Sequence, residues 1–92
     1  MNNDLKDNVF KVVNIKNGYF SNIVTLEVLK DFNWENAQSF FNFDFDKGEL
    51  IEVKVKHKNI LQYPIGSTVN WMHIIKYSTN WANYSGVEKI LG

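Results

Sequence analysis

Residues 49–58 read ELIEVKVKHK, and the alternation in this stretch decides the fold class. Ile51, Val53 and Val55 fall on one side of an extended chain, while Glu52, Lys54, Lys56 and Lys58 fall on the other. A period of two over this length marks a half-buried strand with one packed face and one wet face. Immediately upstream, residues 40–45 (FFNFDF) alternate as well. Phe41, Phe43 and Phe45 share one side, and Asn42 and Asp44 share the other with Phe40. Asp46-Lys47-Gly48 between the two runs has turn composition, so the pair reads as a hairpin.

Working outward, residues 9–15 (VFKVVNI) form another strand candidate, and Asn17-Gly18 after it is a strong hairpin signal. Both residues accept positive φ, which a two-residue type I′ turn requires. The return strand is expected over residues 19–29, with Val24, Leu26 and Val28 facing inward. Residues 31–39 (DFNWENAQS) are less regular. Asn33 can cap a single helical turn through Ala37 and Gln38, and a loop fits equally.

Beyond the central strand, residues 59–67 form a connection containing Tyr63-Pro64 and Gly66. Residues 68–77 (TVNWMHIIKY) read as a strand. Val69, Trp71, His73, Ile75 and Tyr77 share one parity and Asn70, Met72, Ile74 and Lys76 the other, so both faces carry apolar groups. Residues 78–85 read as a loop, and 86–91 as a short closing strand or one helical turn.

Five or six short strands in 92 residues, with at most one short helix, predict an all-β domain. A closed or nearly closed small barrel of the oligonucleotide-binding or SH3-like kind hides the edges that a flat sheet would expose. A two-sheet sandwich is the alternative. Residues 1–8 are expected to be a flexible N-terminal segment, and 9–92 a single small β-barrel domain. The expected core is Val9 or Phe10, Val13, Val24, Leu26, Val28, Phe41, Phe43, Ile51, Val53, Val55, Val69, Ile75 and one or two tryptophans.

Composition narrows the function classes. The chain has no Cys, which excludes disulfide staples and thiolate metal sites. Residues 1–8 do not read as a signal peptide, and no apolar run is long enough to span a bilayer. A cytoplasmic location without membrane contact is therefore expected. Asn83-Tyr84-Ser85 matches a glycosylation triplet, but without a secretory route it carries no weight. Ten Lys, no Arg and thirteen Asn point to AT-rich coding, as in a low-GC bacterium, its phages or other mobile elements.

Charge is unevenly divided. Residues 1–50 hold five Lys and eight acids, and residues 51–92 hold five Lys and two acids. A fold can turn that asymmetry into a basic and an acidic face. The absence of Arg removes bidentate readout of guanine and planar clamping of phosphate.

No catalytic signature emerges, so the protein is expected to be non-enzymatic and to need no cofactor. His57 and His73 lie on different expected strands and show no ligand spacing with an acid. His57 follows the inward parity of Val53 and Val55, and His73 stands between Trp71 and Ile75. Asp44, Asp46 and Glu49 cluster around one turn, where solvated carboxylates are commonplace. The five glycines are scattered and form no phosphate loop.

Two binding readings follow. The first is a protein-binding module, or an accessory or inhibitor protein of a mobile element, acting on a partner or on a second copy of itself. Its anchors are Trp34, Trp81 and Tyr84, large rings in polar loop-like segments. The second is a small barrel that binds single-stranded nucleic acid. Lys54, Lys56 and Lys58 on one side of a strand lie roughly 7 Å apart, near the phosphate repeat of an extended strand. Phe40, Trp71 and Tyr77 are the candidate stacking rings. The first reading places an exposed ring patch away from the lysines, whereas the second places rings among them. The plainer account is that strand lysines keep a wet face soluble and that rings fill a small core.

Overall fold

The computed structural model describes residues 6–35, 42–78 and 87–89. Their order is β1 (Phe10–Lys16), β2 (Asn22–Val28), β3 (Phe32–Glu35), β4 (Asn42–Phe45), β5 (Leu50–Val55), a 3-10 turn (His57–Gln62), β6 (Thr68–Val69), α1 (Trp71–Tyr77) and β7 (Val87–Lys89). The chain is mostly β. A five-stranded antiparallel sheet in the order β6-β1-β2-β5-β7 curls into a half-barrel, and β3 pairs with β4 in a separate two-stranded sheet. Among the described residues the large ladder has two ends, β6 and β7, where the sequence reading expected closure.

The first hairpin forms, with Lys16 opposite Ile23 and Phe10 opposite Val28. Val24, Leu26 and Val28 are buried as their parity requires. The turn differs from the expected two-residue type. Strand β1 runs on to Lys16 and β2 begins only at Asn22, which leaves a five-residue loop, 17–21. Gly18 is not among the positive-φ glycines. It is needed for space instead, because a Cβ there would lie 2.3 Å from the Ser21 carbonyl oxygen.

A register shift between Val12 and Asn14 marks a β-bulge in β1. Two residues there oppose one on β2, so the inward parity changes along the strand. Phe10 and Val12 are buried before the bulge, and Ile15 packs on the core after it. Val13, expected in the core, falls at the bulge and is only half-buried.

The second expected hairpin is not formed. Strand β4 pairs with β3, through Phe32 opposite Phe45 and Trp34 opposite Phe43, while β5 pairs with β2 and β7. The turn at 46–48 is a corner between sheets. The Gly48 N–H donates to the Val28 carbonyl at 2.7 Å, the Val28 N–H donates to Glu49 at 2.9 Å, and the Lys47 N–H donates to Asp31 Oδ1 at 2.8 Å. These bonds dock the turn onto the end of β2 and deliver β5 beside it. Over Phe32–Glu35 the chain is strand β3, whose alternate rings gain cross-strand partners on β4; Ala37 and Gln38 of the expected helical turn, and Phe41 of the expected core, lie outside the described residues.

The largest correction concerns residues 68–77. Only Thr68 and Val69 are extended, and they pair with Lys11 and Phe10. Asn70 then caps α1, its side-chain oxygen accepting the His73 N–H at 2.8 Å. Trp71 and Ile74 are buried and Ile75 packs on the core, which is the i, i+3, i+4 stripe of a helix. Apolar groups on both strand parities were the trace of that stripe. The cap also limits β6 to two residues.

The helix and the β3–β4 pair close over the inner face of the sheet. The Trp71 ring, fully buried, lies 5.4–5.8 Å from those of Phe10, Phe32, Trp34, Phe43 and Phe45. Trp34 is thus part of the core cluster. Val87–Lys89 is a short strand on the free edge of β5.

Candidate nucleic-acid interface

One end of the sheet carries lysines with no acid in the loop segments, whereas the other end carries both signs of charge. Strands β1 and β2 meet at loop 17–21, and Val55, the last residue of β5, lies opposite Asn22, the first of β2. Loop 17–21 and the 3-10 turn therefore share one end of the sheet. No acidic residue occurs in the sequence between Asp7 and Glu27 or between Glu52 and Glu88. Lys16, Ile23 and Lys54 form one cross-strand row on the outer face. The two lysine backbones stand two strand spacings apart, roughly 10 Å. Lys56 and Lys58 follow directly. All four lysines are exposed, and among the described residues none of them is ion-paired. The opposite end carries Asp7, Asp31, Asp46 and Glu49, with the exposed ion pair Lys30–Asp7 at 3.2 Å.

The lysines do not form the single row that alternation implied. β5 stops at Val55 because β2 offers no backbone partner beyond Asn22. Lys56 stays extended at φ −64° and ψ 153°, and Lys58 lies within the 3-10 turn. The cations thus fan around the end of the sheet rather than line one strand.

Loop 17–21 carries two rings at this same end of the sheet. Tyr19 is 88% exposed and Phe20 85%, and the rings meet edge to face with centroids 4.7 Å apart. Neither was a sequence candidate, because Asn17-Gly18 read as a tight turn with Tyr19 already in the next strand. Two adjacent aromatics directly after a turn signal were the available clue.

The loop is tied down by His57. Its Nε2 lies 3.2 Å from the Tyr19 carbonyl oxygen and its Nδ1 3.0 Å from Asn22 Nδ2. Asn22 is only 1% exposed, and its Nδ2 also donates to the Val55 carbonyl at 3.4 Å. Far from being an inward strand residue, His57 is exposed and acts as a surface bridge.

The other candidates are distributed elsewhere. Trp71 is buried and unavailable for stacking. Tyr77 is half-buried, packs against His73 at 4.7 Å and lies under Lys76, whose Nζ is 5.3 Å from its ring centroid. Trp34 is half-buried in the core cluster and so is not a loop anchor. Phe40, Trp81 and Tyr84 lie outside the described residues.

A second feature is an open depression of about 530 Å³ along α1, lined by Asn70, Met72, His73, Ile75, Lys76 and Tyr77. His73 is engaged there, with Nε2 2.8 Å from the Gln62 carbonyl oxygen and its ring edge-to-face on Tyr63 at 5.0 Å. The Tyr63 hydroxyl is buried and has no hydrogen-bond partner among the described residues. Burial holds its phenol well above the ordinary tyrosine value, and Tyr77 nearby pushes the same way. Among the described residues no three His, Asp or Glu side chains gather as a metal site, and no helix is long and apolar enough to cross a membrane.

The chain matches no family model, no curated protein and no solved structure.

Proposed function

We propose that the protein is a non-enzymatic module that binds single-stranded nucleic acid at the loop end of its curled sheet. One observation carries this reading: an exposed ring pair, Tyr19 and Phe20, stands at the end of the sheet that bears Lys16, Lys54, Lys56 and Lys58. Stacking of a base on an exposed ring contributes about 1–3 kcal/mol, and lysines supply salt-sensitive attraction to phosphates. With no Arg to read guanine, binding is expected to tolerate any sequence.

A protein partner, or a second copy of the chain, is the other reading. Leu61 at 87% and Ile65 at 64% exposure, on the connection after β5, favour it. A cytoplasmic accessory or inhibitor protein of a phage or other mobile element fits that reading.

Anisotropy of a fluorescent oligothymidylate at ~50 mM and ~200 mM salt decides between them. Binding that weakens with salt and with loss of Tyr19 and Phe20 supports the first reading. No binding of single- or double-stranded oligonucleotide at micromolar protein and ~50 mM salt removes it. Partner capture or dimer mass that depends on Leu61 and Ile65 then favours the second.

A further inference from the structure

His57 joins two parts of this surface that are distant in sequence. Its ring contacts Asn22 on one side and the backbone of Tyr19 on the other. The orientation of the Asn22 amide follows from its surroundings. Nδ2 faces the Val55 carbonyl at 3.4 Å, and reversing the amide would set two acceptors against each other. Asn22 therefore presents N–H to His57 Nδ1, which must accept. The ring hydrogen then sits on Nε2 and donates to the Tyr19 carbonyl oxygen. Only the neutral imidazole in this tautomer makes both bonds.

From this geometry we infer that neutral His57 is the positioning residue of the ring-bearing loop, and that its protonation releases Tyr19 and Phe20. A proton on Nδ1 opposes two N–H groups across a 3.0 Å contact. Asn22 is buried and bound to Val55, so the exposed imidazole is the group that moves, and its bond to Tyr19 goes with it. By strand register and chain position, the charged and titratable groups at this end of the sheet are Lys16 and Tyr19 on the hairpin side and Lys54, Lys56 and Lys58 on the β5 side. No carboxylate lies in these stretches to hold the imidazolium in place. The effect on binding rests on the oligonucleotide reading, whereas the latch is a property of the free protein.

Charge and latch act in opposite directions. An added proton by itself strengthens attraction to phosphate, whereas loss of the ring platform weakens binding. Weaker binding in acid therefore identifies the latch.

The test is nitrogen-15 NMR of the ligand-free full chain between about pH 8 and about pH 5, with oligothymidylate affinity measured alongside. The ring shifts of His57 should report the Nε2–H tautomer at high pH. Amide resonances of 17–21 should move with the same midpoint as the ring, those of 46–49 should not, and His57→Gln should abolish the loop response. Affinity of the native chain should fall several-fold in acid, and Tyr19→Ala/Phe20→Ala should reverse that sign. A dominant Nδ1–H tautomer, loop resonances indifferent to His57, or native-chain affinity that rises in acid overturns the inference. A loop that follows His57 in a protein that binds no oligonucleotide at any pH upholds the latch and removes the nucleic-acid reading.

Discussion

The side-chain oxygen of Asn70 accepts the backbone N–H of His73 at 2.8 Å. That bond satisfies one of the free donors of the first turn of α1, and it stands where a strand gives way to a helix. Asn70→Ala should lower stability by about 1 kcal/mol. In urea unfolding the midpoint should fall with an unchanged slope, and an unchanged midpoint would show that the cap does not hold α1.

Trp71 is fully buried with five aromatic rings within 5.8 Å of its own. Trp71→Ala should destabilise by about 3–5 kcal/mol, a large share of the ~5–15 kcal/mol typical of a domain. Loss of the cooperative thermal transition, or a melting temperature lower by more than ten degrees or so, is the expected result. Trp71→Phe should retain part of that loss.

Tyr19→Ala and Phe20→Ala should leave the melting temperature nearly unchanged, since both side chains are almost wholly exposed. On the proposed function each should weaken oligothymidylate binding by about 1–3 kcal/mol. Equal anisotropy curves for native and variant chains would contradict the stacking role.

Removal of Lys54, Lys56 or Lys58 should act differently. For single strands, each lysine that neutralises a phosphate contributes about 0.7 to the slope of log affinity against log salt. The triple Ala variant should therefore lose roughly 2 from that slope if all three make such contacts. Its affinity should approach that of the native chain at high salt. A slope equal to that of the native chain would assign the lysines to solubility alone.

Tyr63 predicts an alkaline effect. Its phenol is held above the ordinary value by burial, with Tyr77 adding to the shift, whereas an unfolded tyrosine ionises near ~10. Above that pH the unfolded chain gives up a proton that the folded chain keeps. Stability is therefore complete below it and falls by up to about 1.4 kcal/mol per pH unit above it. Tyr63→Phe removes the hydroxyl that is unpartnered among the described residues. It should leave neutral stability equal or higher by about 1 kcal/mol and flatten this share of the alkaline fall. Urea midpoints compared at neutral and alkaline pH measure both effects.

What the sequence determined by itself is what period and local chemistry carry. Val24, Leu26 and Val28, and Ile51, Val53 and Val55, are buried because alternation in an extended chain has one packed answer. The first hairpin was legible for similar local reasons, and Lys54 and Lys56 were legible as exposed; residues 86–91 fitted a strand or a helical turn alike, and pairing with β5 made 87–89 a strand. Tertiary structure decided which strands pair, where they stop and which rings remain outside. The turn at 46–48 docks on the end of β2, so β5 joins β2 and leaves β4 to β3. The bulge in β1 exchanges its inward parity, and Asn70 with the stripe of Trp71, Ile74 and Ile75 makes a helix where alternation also fitted. The exposed ring pair was hidden because it sits on a loop that His57 contacts, meeting Asn22 and Tyr19 across 35 and 38 positions of chain. Such contacts exist only after the sheet has brought distant segments to the same end, and a repeat of two residues holds no record of them.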